Sequence, residues 1–183
     1  MFILGAILVL GILGVSGYNG LVRRRNRVDQ AYSTIEVQLT QRYDLIPKLV
    51  ETVKQYMGHE RGVLEDIVRL RQKAVSTSDP AQKIAADNEL TRAMGQLNVT
   101  LENYPQLKAS DNFVQLQRAL NEVEEQLAAA RRSYNAAVTD YNNAVQTFPS
   151  SLIAGSMDFG TRTMFVADER KRGDVDMKGL FQA

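Results

Sequence analysis

Cysteine and tryptophan are both missing from the 183 residues, and there is one histidine, His59. Without cysteine there is no disulfide frame, no thiol nucleophile and no thiolate metal site. A lone histidine cannot build a histidine-rich zinc or iron centre. An excess of charge is missing too: 22 basic against 21 acidic side chains leave +1. That balance argues against a nucleic-acid binder and against an acidic disordered tail. Four prolines leave room for long uninterrupted helices.

Charge is also absent from Phe2 to Val22. As a helix that stretch rises about 31 Å, the thickness of a bilayer's hydrocarbon core. Phe2 to Val15 is apolar or small throughout, with Leu8 near its middle, and Ser16, Tyr18 and Asn19 mark an approach to the interface. Arg23, Arg24, Arg25 and Arg27 follow at once. By the positive-inside rule these four arginines face the cytoplasm, which puts the N-terminus outside. A cleaved signal peptide fits less well, because the basic n-region is missing and arginines follow the apolar run. Gly11, Gly14, Gly17 and Gly20 recur every third residue. The row winds around the helix, so it either lets identical anchors approach closely or reflects only how common glycine is in membrane spans.

Beyond the arginines the apolar pattern turns regular. Val28, Tyr32, Ile35, Leu39, Tyr43, Ile46, Val50, Val53 and Met57 form one stripe of a helix continuous with the anchor. Pro47 predicts a kink in it, and Gly58 a stop. A second helix carries Val63, Ile67, Leu70 and Ala74. Asp79-Pro80-Ala81-Gln82 reads as a capped start for a third, which buries Leu90, Met94, Leu97, Leu101 and Tyr104 and ends at Pro105. A fourth, capped by Ser110 or Asp111, bears a 3.5-residue repeat from Phe113 through Leu120, Leu127, Tyr134 and Tyr141 to Phe148. The expected fold is all-α. A transmembrane anchor at 1–22 runs into an antiparallel four-helix bundle at 23–149, and an irregular tail follows at 150–183, with Phe159 and Phe165 as docking points.

Nothing in this pattern assembles a catalytic site. His59-Glu60 lacks the second histidine a zincin requires. Glu122, Glu124 and Glu125 lack the Glu-x-x-His partner of a di-iron bundle, so they read as a solvated face. No catalytic residue, cofactor or metal is expected. One charged group, Arg42, Asp44, Lys48, Glu51 and Lys54 around Pro47, either docks a partner near the membrane or is a solvated helix face.

Tyr18-Asn19-Gly20-Leu21-Val22 with Arg25-Asn26-Arg27-Val28, Ile35 to Leu39, and Asp44 to Lys54 make up the first part of a wider pattern. Glu102-Asn103-Tyr104-Pro105, Asn112-Phe113, Leu116-Gln117, Tyr134-Asn135, Tyr141-Asn142, Phe148-Pro149, Ile153-Ala154 and Phe159 complete it. In these runs the chain resembles the LemA family along nearly its whole length. Two positions depart from the pattern, Lys48 where asparagine is expected and Met164 where phenylalanine is common. The resemblance implies a bacterial cytoplasmic (inner) membrane protein with a short external N-terminus and a helical cytoplasmic domain. It supplies no enzymatic activity, and it implies an accessory role beside membrane proteins such as proteases. Two functions are expected. The first is a non-enzymatic scaffold in membrane lipid that self-associates as a homo-oligomer. The second is an adaptor or regulator of another membrane protein, working through Arg42, Asp44, Pro47, Lys48 and Glu51.

Overall fold

The computed structural model describes residues 2–58 and 60–165, without the side chains of residues 6, 7, 9 and 10. His59 and the tail beyond residue 165 lie outside the described residues.

One helix, α1 (Phe2–Lys54), takes the expected apolar run and the first amphipathic stripe together and passes through Pro47. At about 1.5 Å per residue it is roughly 80 Å long. It is followed by α2 (Arg61–Ser76), α3 (Pro80–Leu101), a single turn α4 (Pro105–Lys108), the long α5 (Asp111–Gln146) and α6 (Ser150–Ser156). The boundaries follow local chemistry. Asp79 Oδ1 accepts the Gln82 amide at 2.8 Å, and Pro80 occupies the first turn, where its missing N–H costs nothing. Alanine, leucine, glutamine and arginine fill α5 with good helix formers, and Phe148-Pro149 ends it because proline disfavours the α conformation just before it.

Ion pairs give the directions. Arg24 Nε lies 3.1 Å from Asp140, and Arg42 Nε 2.7 Å from Glu124, so α5 runs antiparallel to α1. Lys73 Nζ on α2 reaches Glu89 on α3 at 2.7 Å across a second antiparallel pair. The described residues therefore hold four long helices, but these do not form four equal staves. The α2–α3 pair covers α1 only from about Val28 outward, where Asp79 and Ile84 flank Val28 and Tyr32. Inward of that level α6 and the extended run 159–165 take its place on α1 and α5.

The core is continuous. Leu21, Val28, Ile35, Leu39, Ile46 and Val53 of α1 are buried with Leu120, Leu127, Tyr134, Val138 and Tyr141 of α5 and with Ile67, Leu90 and Leu97. Two expectations are corrected here. Phe148 ends the α5 stripe exposed rather than buried, because it stands in the turn after the helix. Residues 150–165, read as an irregular tail, begin instead with α6; the irregular run after it docks through Phe159 and Phe165, the two points expected.

The expected transmembrane helix also needs restating. Among the described residues no helix is long and apolar enough to cross a membrane. Four side chains of the apolar run, at residues 6, 7, 9 and 10, are not among those described.

Candidate functional site

Three groups of residues, and what is left of the expected docking patch, lie at different heights along α1.

The N-terminal end of α1 projects beyond every other described element. Phe2, Ile3, Leu4, Leu8, Ile12, Leu13 and Val15 are between 60% and 96% exposed, although each is a large hydrophobe. A Cβ added to Gly11 or Gly14 would meet nothing within 4 Å. Gly17 differs: its Cβ would sit 2.5 Å from Ile153 Cδ1, so this glycine seats α6 and is not free to seat a second anchor. Gly20 meets Arg24 Nη1 at an ordinary 3.5 Å. The four arginines form a collar just outside this end. Arg24 and Arg27 both approach Asp140, at 3.1 and 3.8 Å, and the Arg25 guanidinium lies 5.4 Å over the Phe159 ring. Arg23 is exposed and closes an apolar groove made by Leu8, Gly11, Ile12 and Val15.

The second cluster is one the sequence did not foretell. Arg42, expected on a surface patch, is 1% exposed and donates to Asp87 Oδ1 at 2.9 Å and to Thr91 Oγ1 at 3.0 Å. Its Nε is 2.7 Å from Glu124 as a charge contact without hydrogen-bond alignment. Arg131 of α5 binds the other Asp87 oxygen, and Tyr43 donates its hydroxyl to Asp87 at 3.3 Å. Burial, with the Asp87 charge beside it, raises the Tyr43 phenol well above its ordinary value, so it remains a donor. Arg71 Nε donates to the Tyr43 carbonyl at 2.6 Å. One aspartate on α3 thus binds α1 and α5 together, with α2 clamped alongside. A buried charge is tolerated because each oxygen is paired.

The expected docking patch is what remains after Arg42 is removed. Asp44, Pro47, Lys48 and Glu51 are exposed, and Lys48 borders a shallow groove with Thr52, Asn112 and Leu116. Because α1 is continuous, Pro47 stands roughly 36 Å beyond Arg23 at about 1.5 Å per residue. The patch is at the far end of the domain and not beside the arginine collar.

Third is a strap along α5. Asn142 Nδ2 donates to the Arg162 carbonyl at 2.9 Å while its Oδ1 accepts the Arg162 amide at 2.8 Å. Asn135 does the same to Phe165, at 2.8 Å both ways. Tyr134 and Tyr141 donate to the carbonyls of Thr163 and Gly160, both at 3.0 Å, and burial raises both phenols. The spacing explains the fit. Seven residues of helix rise about 10.5 Å, and the three-residue step from Arg162 to Phe165 spans roughly 10 Å when extended. The two Tyr-Asn pairs are a ruler matched to an extended chain. Tyr134 also stacks edge-on to Phe165 at 5.3 Å.

Glu124 pairs with Arg42 as described, and among the described residues no three His, Cys, Asp or Glu side chains are grouped to hold a metal ion. The fold and surfaces define an all-helical domain built on one long helix whose apolar end stands free of the domain and whose internal charges brace the helices. The chain belongs to the LemA family, whose model matches residues 31–178. It is 30% identical to Protein LemA of Metamycoplasma hominis over 183 residues, which is 98% of this chain and 84% of that one. It is also 22% identical to the magnetosome protein MamQ of Magnetospirillum gryphiswaldense, over 86% of this chain and 67% of that protein. With magnetosome protein MamQ 2 of Paramagnetospirillum magneticum it shares 29% identity over 92 residues, half of this chain and 33% of that relative.

Proposed function

We propose that this protein is a non-enzymatic, membrane-anchored helical scaffold. In this reading α1 enters the bacterial cytoplasmic membrane by its N-terminal end, the N-terminus is outside, and the helical domain stands in the cytoplasm as an upright rod. One observation carries it: seven large hydrophobes on a single projecting helix end are exposed, with none of the described residues covering them. An exposed apolar surface of that extent marks a contact with lipid or with another chain. Lipid is favoured because the apolar side chains surround the helix instead of forming one stripe, and because arginines collar its inner end. Relatives named as magnetosome proteins favour a role in a cellular assembly.

Self-association is the second element of the reading. Gly11 and Gly14 leave an open, small-residue surface on the exposed helix, of the kind through which membrane helices approach closely. The test has two arms on the full chain. Membranes washed with high salt and then with alkaline carbonate should retain the protein, and only detergent should release it; release by salt alone overturns the anchor. The detergent-solubilised particle should exceed the monomer's mass, and replacing Gly11 and Gly14 with leucine should reduce it. A monomer at micromolar concentration overturns the scaffold.

An adaptor or regulator of another membrane protein is the alternative, supported by the exposed Asp44, Pro47, Lys48 and Glu51 beside the Thr52–Leu116 groove. Crosslinking in native membranes separates the two. A scaffold captures mainly copies of itself, and an adaptor captures a different membrane protein at residues near Lys48.

A further inference from the structure

We propose that the corner between α5 and α6 is a second membrane contact, in which Phe148, Leu152 and Met157 insert into the cytoplasmic leaflet beside α1. The inference rests on the membrane-anchor reading and adds a surface that the sequence divided between the end of the fourth helix and the tail.

Height along α1 is the first argument. Asp140 is level with Arg24, and α5 continues from there to Gln146, about 9 Å closer to the N-terminal end of α1. The chain then turns, and α6 lies against α1 where Ile153 meets Gly17 and where the Phe159 ring is 5.8 Å from Tyr18. The corner therefore stands on the membrane side of the arginine collar. It cannot remain in bulk water if residues on both sides of Gly17 belong to the anchor.

Length makes the same point independently. The uncharged run of α1 continues to Val22, so its last residues, from Gly17 on, are the ones packed by α6 and Phe159. A helix that spans must draw the corner in with it.

The chemistry of the corner agrees. Phe148 before α6 is 75% exposed, Leu152 within it 68% and Met157 just after it 56%, whereas Ile153 and Ala154 of α6 pack inward. No acidic or basic side chain occurs from Tyr141 to Met157. The nearest cations are the collar itself, with Arg25 over Phe159, placed to meet anionic headgroups while the apolar corner sits below them. Lipid is thus the occupant that continuity with the anchor, height and charge all favour.

The chain has no tryptophan, so single-tryptophan variants of the full-length protein report without background. Phe148→Trp, Leu152→Trp, Ile12→Trp and the distal Val99→Trp would each be reconstituted into phosphatidylcholine–phosphatidylglycerol vesicles, with and without brominated acyl chains. Phe148→Trp and Leu152→Trp should emit at blue-shifted wavelengths and lose most of that emission to the brominated lipid, as Ile12→Trp does. Val99→Trp, exposed on α3, should be unaffected. Quenching at Ile12→Trp with none at the corner overturns this inference and leaves the anchor standing. No quenching at Ile12→Trp removes the anchor and the inference with it. A blue shift at the corner without quenching would mean that protein, not lipid, covers it, and also overturns the proposal.

Discussion

The first fifteen residues of α1 and the thirty that follow Leu21 are the same helix in two different surroundings. From Val28 on, apolar side chains recur every three or four residues, and those of the stripe are buried or half-buried in the domain. Before Ser16 they occur all round the helix, and those described are exposed. A stripe calls for a partner helix, whereas a fully apolar cylinder calls for an apolar solvent. The contrast shows that the helix has no break in its backbone where its surroundings change. The boundary is written in side chains, at Gly17 and the arginine collar, and not in the backbone.

That comparison predicts a double dissociation. The largest effect should come from Leu8→Lys with Ile12→Lys, which costs about 5–7 kcal/mol of insertion if both positions reach the bilayer interior. Carbonate should then release the protein, while the thermal unfolding of its helical domain stays unchanged. Asp87→Ala should do the reverse. Arg42 and Arg131 would lose their shared partner in the interior, at a cost of roughly 3–5 kcal/mol in urea unfolding followed by circular dichroism, with membrane retention intact. Leu127→Ala, at a fully buried α5 position, should destabilise the domain by about 2–5 kcal/mol in the same assay. Asn135→Ala should be the mildest. Losing its two bonds to Phe165 costs about 1–3 kcal/mol and should speed amide exchange at Phe165 without moving exchange in α2 or α3.

The sequence disclosed most of the helices because their signals are local. The Asp79-Pro80 start, the Phe148-Pro149 stop and the stripes of α1, α3 and α5 each need only neighbours within a few turns. The network around Asp87 needed something else. Its members are 45 and 44 residues apart and on three helices, so no spacing rule joins them. A weaker signal was present: Arg42 lies in the row Ile35, Leu39, Ile46, and Asp87 in the row Leu90, Met94, Leu97, so each is a charge where an apolar residue is due. A charged residue in register with a buried stripe is a candidate for an internal pair, and reading Arg42 from its charged neighbours instead placed it on the surface. The strap was half legible. The two Tyr-Asn pairs stood out, but an extended segment such as 159–165 has no periodicity of its own and takes its order from the asparagines. Likewise, three-residue spacing grouped Gly17 with Gly11 and Gly14, although its neighbour is Ile153, far along the chain.

The most direct test uses the absence of cysteine. Single cysteines at Leu8, Ile12, Asn26 and Ser33 can be probed with a membrane-impermeant maleimide in inverted membrane vesicles, which expose the cytoplasmic face. Leu8→Cys and Ile12→Cys should resist labelling until detergent is added, while Asn26→Cys and Ser33→Cys label at once. Equal labelling at all four positions before detergent would contradict the account, because one helix could not then be lying in two solvents.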